Sequence, residues 1–405
     1  MRTREIVRGG LFLAALVVAG AKLQAAALDE ADLDAKIETL RKGDFTVRLP
    51  AVSGTVAYKM VRHDFPFGTC VNARVLLADG PDADKYRETL QKYFNAAVDE
   101  GSMKWKYMEP APGRHVDDVP MKVWQKCREL GIPMRGHCIF WGTGPGPADW
   151  HKTLAPKALE KAMKARAERV LALFRGKIAE WDLNNEMIHG DVYAKALGLK
   201  TGAPYFKWCK AIAPDVAFYV NDYNILSGKD ADRYIAHIQG LLADGAEVGG
   251  IGVQGHFDAG APPSKTVWGV LGKLRRFGLP VKVTEFDINT KDEARQAADT
   301  RRFYKLCFAH PAVRGILMWG FWEGRHWRPE GALWRKDWSI KPNGREYVRL
   351  VTDEWVTRGE GRASADGRLA FRGFYGTYRF TAGGRTFTAS FAPGRCEASA
   401  SPEKP

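Results

Sequence analysis

Two glutamates could supply the chemistry of this chain, because each comes at or beside the end of a short apolar run. Glu186 closes the segment WDLNNE (residues 181–186), and Glu285 lies within VTEFD (residues 283–287). Two carboxyl groups about 5–5.5 Å apart, one protonated and one ionised, can cleave a glycosidic bond with retention of configuration. A lone glutamate in such a place is more often a surface carboxylate. The pair therefore predicts glycoside chemistry only if the fold brings both side chains to one site.

An alternation of apolar runs and helical patterns between residues 65 and 322 predicts the fold. The predicted strands are 67–71, 96–100, 134–141, 178–185, 217–221, 249–254, 281–285 and 315–320, and the helix candidates between them include 82–94, 121–130, 156–174, 230–242, 264–277 and 292–308. Eight such strands predict an α/β protein with a (β/α)₈ TIM barrel. The alternative is a doubly wound open sheet, which usually has a glycine-rich phosphate loop after its first strand. The sequence has no such loop there.

Polar or aromatic side chains end every predicted strand. They are Asn72, Glu100, His137 with Trp141, Glu186, Asn221, Gln254 with His256, Glu285 and Trp319. In TIM barrels the carboxyl ends of the strands form the active-site face. We therefore expect these side chains to surround one cleft that contains both glutamates.

Four segments are predicted along the chain. Residues 1–27 are expected to be a signal peptide, because arginines precede an apolar stretch and a run of alanines. Residues 28–64 form an N-terminal extension that packs on the barrel, and residues 65–355 form the catalytic barrel. Residues 356–405 alternate polar and apolar side chains between glycines, which predicts a small β appendage followed by a disordered tail from residue 399. The appendage is either a structural extension of the barrel or a carbohydrate-binding module.

Composition limits the partners. The formal net charge is +14, but lysines and arginines are scattered and do not interleave with aromatics, so no nucleic-acid partner is predicted. The positive charge is either an ordinary solvated surface or, more specifically, a surface that attracts the protein to an acidic polysaccharide. Six cysteines occur without a CxxC pair, so no metal site is predicted, and disulfides and buried thiols both remain open. We expect an exported monomer, periplasmic or extracellular, without a membrane segment after signal cleavage and without a cofactor.

Several motifs resemble glycoside hydrolase family 10, the endo-β-1,4-xylanase family. The resemblance covers residues 65 to about 345, and it is carried by MKW (103–105), RGH (135–137) with Trp141, WDLNNE (181–186), NDYN (221–224), GVQGH (252–256), TEFD (284–287) and WG (319–320). It implies a (β/α)₈ barrel, a retaining mechanism and xylan as the substrate. In this interpretation Glu186 is the acid/base residue and Glu285 the nucleophile.

The resemblance also implies roles for other residues. Nine residues correspond to family positions that line the glycone side of the cleft. They are Glu100, Lys104, His137, Trp141, Asn185, Gln254, His256, Trp319 and Trp327. Asp182, Asp287 and Tyr223 are expected to support them, the two aspartates by orienting the glutamates. For Trp327 the alternative is ordinary core packing.

Two departures from the family pattern affect the cleft. Gly101 stands where the family commonly has an asparagine that contacts a sugar, and Gly142 stands where it often has a second histidine. The loop 142–147 is rich in glycine and proline and could reshape the catalytic face. Alternative functions are hydrolysis of another β-1,4-glycan or of aryl-β-xylosides, or non-catalytic binding of a polysaccharide.

Overall fold

The computed structural model describes residues 28–403. Its strands, in chain order, are β1 (Lys42–Arg48), β2 (Gly54–His63), β3 (Phe67–Val71), β4 (Ala96–Asp99), β5 (Met134–Trp141), β6 (Glu180–Asn185), β7 (Ala217–Asp222), β8 (Gly250–Val253), β9 (His256–Asp258), β10 (Val281–Asn289), β11 (Val313–Met318), β12 (Arg358–Ala363), β13 (Arg368–Phe374), β14 (Gly376–Ala382), β15 (Arg385–Phe391), β16 (Glu397–Ser399) and β17 (Ser401–Pro402).

The helices follow most of the barrel strands. In chain order they are α1 (Glu30–Arg41), α2 (Ala73–Leu76), α3 (Pro81–Tyr93), α4 (Trp105–Met108), α5 (Asp118–Glu129), α6 (Asp149–Lys152), α7 (Pro156–Leu173), α8 (Val192–Ala196), α9 (Ala203–Ile212), α10 (Ala231–Ala243), α11 (Ser264–Arg275), α12 (Glu293–Ala309) and α13 (Pro342–Arg349). Short 3₁₀ turns lie at Met187–His189, Glu323–Arg325 and Pro329–Gly331, and a π turn lies at Leu350–Glu354.

Eight parallel strands close into a barrel, which confirms the predicted (β/α)₈ fold. The order is β3-β4-β5-β6-β7-β8-β10-β11, and β11 pairs with β3 to close the ring. β9 continues the pairing beside the carboxyl-terminal half of β10. All these pairs are parallel, so the carboxyl ends of the strands meet at one face.

The barrel strands are recognisable in the sequence because both of their faces are buried. β3 is buried at every residue, and β5 at every residue except its last. Such strands contain near-continuous apolar runs. Close packing also requires a glycine in β5, because a Cβ atom on Gly136 would lie 2.0 Å from the ring of Trp181 in β6.

The predicted strand end is confirmed at Glu186 and differs at Glu285. β6 ends at Asn185, as predicted, so Glu186 lies just beyond it, at the start of a 3₁₀ turn. β10 runs on to Asn289, so Glu285 lies in its middle. Extra pairing with β9 lengthens β10 beyond the apolar run that defined the predicted strand.

The two segments that flank the barrel form one β unit. β1 from the N-terminal segment pairs with β13 and β16, and β2 pairs with β12 and β14. The prediction treated these segments as separate, and the pairing corrects it. An aromatic cluster lies between the two sheets, where Phe45 stacks on Phe391 at 4.4 Å and meets Phe371 edge-on at 5.4 Å between ring centroids.

The predicted disordered tail is wrong over the residues that the structure describes. β16 pairs with β1, and β17 pairs with β15, so the chain is hydrogen-bonded up to Pro402. These pairings join residues far apart in sequence, which a local pattern does not reveal. Residues 1–27, where a signal peptide is predicted, lie outside the described residues.

Two further findings concern the described part of the chain. No helix within residues 28–403 is long and apolar enough to cross a lipid bilayer. All six cysteines are free thiols, and only Cys396 is not buried. Burial raises the pKa of the Cys127 thiol to about 12, so it is an apolar core group rather than a nucleophile.

Candidate active site

Glu186 is held at the cleft by an unusual backbone conformation and three side chains. It has φ 63° and ψ 33°, a left-handed conformation that non-glycine residues seldom adopt. Its Oε2 accepts a hydrogen bond from Trp141 Nε1 at 2.9 Å. Its Oε1 accepts from Gln254 Nε2 at 3.1 Å and Asn185 Nδ2 at 3.2 Å. Strained backbone of this kind is common where a fold must aim a functional side chain.

Glu285 lies on a rigid strand and each of its oxygens has a partner. Oε1 accepts a hydrogen bond from Asn221 Nδ2 at 2.7 Å, and Oε2 lies 3.2 Å from His256 Nε2. Asn221 Nδ2 also donates to Asn185 Oδ1 at 2.9 Å. The two glutamates are therefore joined through the amides of Asn221 and Asn185.

The surroundings drive the acidities of the two carboxyls apart. Burial, helped by the nearby charges of Glu285 and Asp222, raises the pKa of Glu186 although Gln254 and Trp141 oppose the shift. Burial alone would also raise the pKa of Glu285, but the hydrogen bond from His256 and the electrostatic interactions with His137 and His256 outweigh it, so its pKa is lowered. One carboxyl is thus suited to carry a proton while the other stays ionised.

His256 links the nucleophile candidate to Asp287. Its Nδ1 lies 3.0 Å from Asp287 Oδ2. Burial would lower the pKa of His256, but Asp287 and then Glu285 raise it to about 9, so the ring is an imidazolium at neutral pH. Asp287 Oδ2 also accepts a hydrogen bond from Trp327 Nε1 at 2.7 Å. Asp287 therefore acts on Glu285 through His256 and not by direct contact.

Asp182 does not orient either glutamate, contrary to the prediction. Both of its oxygens accept from the guanidinium of Arg135 at 2.6 and 2.7 Å, and Oδ2 lies 2.9 Å from His137 Nδ1. Burial would raise the pKa of Asp182, but Arg135 and His137 lower it. Asp182 lies within β6, whereas Glu186 lies beyond its end, and the fully buried side chain of Asp182 fixes His137 inside the barrel.

Aromatic and charged side chains line the cleft on the side of β3, β4 and β11. Glu100 Oε2 accepts from Asn72 Nδ2 at 2.6 Å. Lys104 Nζ lies 4.7 Å from the ring centroid of Trp141 and 5.8 Å from that of Trp319.

Trp327 is an exposed aromatic residue on this side. Its side chain is 48% exposed, so it does not belong to the core, which was the alternative explanation for it. The indole N–H is held by Asp287 while the ring meets His256 edge-on at 4.8 Å between centroids. The guanidinium carbon of Arg328 also lies 4.2 Å from the ring centroid, so Trp327 is a fixed aromatic side chain at the mouth of the cleft, partly covered by Arg328.

Tyr223 lies on the opposite side, after β7. Its ring stacks on His189 with centroids 3.7 Å apart and an interplanar angle of 13°. His189 is held by Asp222 Oδ1 at 2.7 Å and Asp230 Oδ2 at 3.2 Å. Burial lowers the pKa of His189, but these two carboxylates outweigh it and raise the pKa overall. Tyr223 thus forms the wall of the cleft next to Glu186 rather than a hydrogen-bonding support.

The two departures from the family pattern have different structural consequences. A Cβ atom on Gly101 would meet only Tyr107 Cε2, at 3.9 Å, so this position is open. A Cβ atom on Gly142 would lie 2.4 Å from Asp191 Oδ1. Asp191 is fixed there because Oδ1 accepts the N–H groups of Tyr193 and Ala194. A side chain at position 142 is therefore excluded.

The loop 142–147 folds back on the cleft wall. Gly146 N donates to Thr143 O at 2.9 Å, and a Cβ atom on Gly146 would lie 2.3 Å from the carbonyl oxygen of Trp141. Lys106 Nζ donates to the carbonyl of Pro145. The loop supports Trp141, whose indole N–H holds Glu186, so glycine is required here for close packing.

Asn221 was expected at the cleft only as a strand-end residue without an assigned role, and Thr284 was not among the predicted site residues. Asn221 contacts Glu285 directly, and its Oδ1 accepts a hydrogen bond from Thr284 Oγ1 at 2.6 Å, which fixes the amide orientation. Asn221 begins the motif NDYN and Thr284 begins the motif TEFD, directly before Glu285. Their positions in these motifs were the sequence feature that could have indicated a role at the site. Within residues 28–403, no three His, Cys, Asp or Glu side chains cluster as metal ligands would.

Comparison with known proteins identifies the family. The model described as Glycosyl hydrolase family 10 matches residues 57–346. Anti-sigma-I factor RsgI6 of Acetivibrio thermocellus is 35% identical over 353 residues, which are 85% of this chain and 45% of that protein. Endo-1,4-beta-xylanase 1 of Arabidopsis thaliana is 31% identical over 356 residues, which are 85% of this chain and 37% of that protein. The chain therefore spans less than half the length of these two relatives.

A solved structure shares the fold. Xylanase 10B from Thermotoga petrophila RKU-1 in complex with xylobiose matches with a TM-score of 0.66 and 23% identity, over 72% of this chain and 95% of that chain. At 23% identity the match supports the barrel fold, and it assigns no role to individual residues. Because the family model covers most of the chain, including both glutamate segments and the strands between them, the chain belongs to glycosyl hydrolase family 10.

Proposed function

We propose that this protein is a retaining endo-β-1,4-xylanase that hydrolyses internal bonds of xylan. The observation that carries the proposal is the opposite shift of two carboxyl groups linked through one amide network, with the pKa of Glu186 raised and that of Glu285 lowered. A retaining glycosidase requires this division between an acid and an ionised nucleophile. The Arabidopsis relatives named as endo-1,4-beta-xylanases and the xylobiose complex support xylan as the substrate class.

In the first step, Glu285 Oε attacks the anomeric carbon while Glu186 gives its proton to the leaving oxygen. The C–O bond to the leaving sugar breaks, and a glycosyl ester forms on Glu285. Glu186, now ionised, then takes a proton from water, whose oxygen attacks the same carbon and releases Glu285. Two inversions give net retention, and neither step requires a cofactor.

The surrounding side chains prepare this sequence. The amide N–H of Asn221 and the imidazolium of His256 hold the nucleophile ionised and fixed in place before substrate binds. Trp141 and Gln254 fix the position of Glu186. Because these donors are already oriented, little reorganisation is needed as charge moves between the two carboxyls.

Two variants test the assignment of roles. Glu285→Gln is expected to show no turnover. Glu186→Ala should lose about 10²–10⁴-fold in rate on xylan, where protonation of the leaving group is required, and far less on aryl glycosides with good leaving groups. Equal losses on both substrate types would refute Glu186 as the acid. Proton NMR of the first product should show the β-anomer before mutarotation.

Substrate profiling tests the substrate and the class of function. Reducing-sugar release from xylan should exceed release from β-1,4-glucans and from short aryl-β-xylosides. Binding of xylan without any release would indicate a non-catalytic polysaccharide-binding barrel instead. We further propose that the protein is exported, because the arginines and apolar stretch before residue 28 have the pattern of a signal peptide. We also propose that it is a monomer. Cell fractionation and light scattering test these two points.

A further inference from the structure

A second cavity lies at the end of the barrel opposite the active site. Its volume is about 570 Å³, within the range of about 300–1,000 Å³ in which proteins bind small molecules. One wall is formed by segments that precede barrel strands, namely residues 65–66 before β3, 278–280 before β10 and 311–312 before β11. The other wall includes Leu40 and Arg41 at the end of α1, and Tyr375 and Pro393 of the β unit. The cavity shares no residue with the catalytic cleft.

Two arginines of this cavity converge on one carbonyl oxygen. Arg41 Nη2 donates to Val313 O at 3.0 Å, and Arg314 Nη1 donates to the same oxygen at 3.3 Å. Burial, and then the like charge of Arg314, lower the pKa of Arg41 to about 10. Within residues 28–403, neither guanidinium forms an ion pair with a carboxylate. The cavity therefore contains two neighbouring positive charges without an ion-pair partner.

A third arginine adds to this positive charge. Arg275, at the end of α11, lines the same cavity and is exposed. Burial, and then the charges of Arg275 and Arg41, lower the pKa of His310 to about 4, so both guanidinium groups act on one buried ring. Asp64 supplies the one carboxylate of the lining, and burial raises its pKa although Arg395 opposes the shift. Three positive charges and at most one negative charge thus line the cavity.

The two converging arginines also retain hydrogen-bond donors. Arg41 uses Nε and Nη2 on backbone carbonyls, and Arg314 uses only Nη1. Nη1 of Arg41 and both Nε and Nη2 of Arg314 have no protein acceptor in the part of the chain that the structure describes. The N–H groups of a guanidinium match the oxygens of a carboxylate or a phosphate. The donors that remain are therefore suited to an oxyanion.

We propose that this cavity binds a small organic anion, with a carboxylate or phosphate head against Arg41 and Arg314 and an apolar body against the surrounding walls. The negative head relieves the repulsion between the two guanidinium groups. The body contacts Leu279, Pro280 and Tyr375, which line the same cavity. Because the ligand touches both the barrel and the β unit, its binding stabilises the folded protein. The inference does not depend on the proposed function, because the cavity contains no residue of the cleft.

Binding is measured on the whole chain at constant ionic strength, with benzoate and phenyl phosphate as the ligands. Isothermal titration calorimetry gives the Kd, and the unfolding temperature should rise once the ligand concentration exceeds it. Arg314→Gln should raise the Kd of both ligands about 10-fold, because a charge-assisted hydrogen-bonded pair is lost. Inorganic phosphate, which has the head without the ring, should bind more weakly than phenyl phosphate.

Arg276→Gln is the matched control for the charge. It removes one positive charge directly after Arg275, from an exposed side chain that does not line the cavity. This variant should keep the wild-type Kd. Arg275→Gln should raise the Kd roughly 3-fold, because it removes an exposed charge that does line the cavity. The unfolding temperature of each variant without ligand shows whether it is folded during the titration, and Arg275→Gln tests the site even if Arg314→Gln does not fold.

The outcomes are distinct. Saturable binding of either ligand that weakens in Arg314→Gln or Arg275→Gln, but not in Arg276→Gln, would support the site, and the ligand that binds identifies the head group. No saturable binding to the wild type, or the same Kd in the wild type and in every folded variant, would overturn it. Competition of the ligands with a xylo-oligosaccharide would place them in the cleft and overturn it as well. Inorganic phosphate that bound as tightly as phenyl phosphate would overturn the organic ligand. A protein without xylanase activity would refute the proposed function and leave this inference unaffected.

Discussion

Asn221 and Glu285 are joined by a hydrogen bond of 2.7 Å, from the amide of one barrel strand to the carboxylate of another. The second N–H of the same amide reaches Asn185, which itself contacts Glu186. A single side chain therefore fixes the nucleophile candidate and couples it to the acid/base candidate. Its orientation is not free, because Thr284 Oγ1 donates to its Oδ1.

Removal of this amide should weaken catalysis without abolishing it. Asn221→Ala leaves one oxygen of a buried carboxylate without a donor, which costs about 1.5–3 kcal/mol and corresponds to roughly 10- to 150-fold in kcat/KM. The pKa of Glu285 should rise, because a hydrogen bond to its ionised form is lost. The acidic limb of the pH profile of kcat/KM should then move to higher pH. Thr284→Val removes only the hydrogen bond that orients Asn221, so it should lower kcat/KM less than Asn221→Ala does and shift the acidic limb less in the same direction. A larger loss in Thr284→Val would contradict the direct role of Asn221.

The charge of His256 should make stability depend on pH. Its pKa in the folded protein is about 9, above the unfolded value of about 6.5. A raised pKa means that the stabilisation is fully present below about pH 6.5 and is lost as the pH rises through about 9. At 1.36 kcal/mol per pKa unit, the loss is on the order of 3 kcal/mol. It is measured as the difference in free energy of unfolding in urea between about pH 6 and about pH 9.5.

His256→Gln is the control for this pH effect. The other titrating groups, including His189, remain in both proteins, so subtracting one pH dependence from the other isolates His256. The variant should lose less stability than the wild type over the same pH interval. The same pH dependence in both proteins would show that His256 is not the group responsible.

The fold and the carboxylate pair were predictable for physical reasons that do not extend to the whole site. Strands of a closed barrel are buried on both faces, so β3 and β5 appear as apolar runs that end in polar residues. The contact between Asn221 and Glu285 joins side chains 64 residues apart, and no local pattern encodes it. The same limit explains why the pairing of β1 with β13 and β16 was not predicted.

The backbone of Glu186 should store strain that a glycine can release. Its φ of 63° costs an ordinary side chain about 1 kcal/mol, whereas glycine adopts it freely. Both Glu186→Gly and Glu186→Ala remove the carboxyl, so comparing them cancels its effect. We expect Glu186→Gly to unfold at a higher urea concentration than Glu186→Ala and to be more stable than that variant by about 1 kcal/mol.

At an exposed position in a regular helix, the glycine variant should be less stable than the alanine variant. Lys161 is exposed in the middle of α7, where glycine is about 1 kcal/mol less stable than alanine. The comparison of Lys161→Gly with Lys161→Ala therefore gives the sign expected without strain. If glycine were also the less stable residue at position 186, the left-handed conformation would not be a source of strain in solution.

The β unit should stabilise the barrel rather than bind substrate. Arg41 at the end of α1 donates to the carbonyls of Phe308, His310 and Val313 at 2.7, 3.0 and 3.0 Å. Its guanidinium also lies 4.8 Å from the ring centroid of Phe65. Arg41→Met keeps most of the apolar stem but leaves those carbonyls without donors, so it should lower the free energy of unfolding by roughly 3 kcal/mol. Activity measured well below the unfolding temperature should be unaffected, because these contacts lie far from the cleft.

Deletion of residues 360–405 decides between the two roles of the β unit. It removes β13 and β16, the partners of β1, and β14, a partner of β2. Strands without partners are not stable in water, and Phe45 and Val56 would become exposed. We expect the truncated protein to unfold at a much lower temperature or to aggregate. A truncated protein that kept the wild-type unfolding temperature and lost only its binding to insoluble xylan would instead identify the β unit as a carbohydrate-binding module.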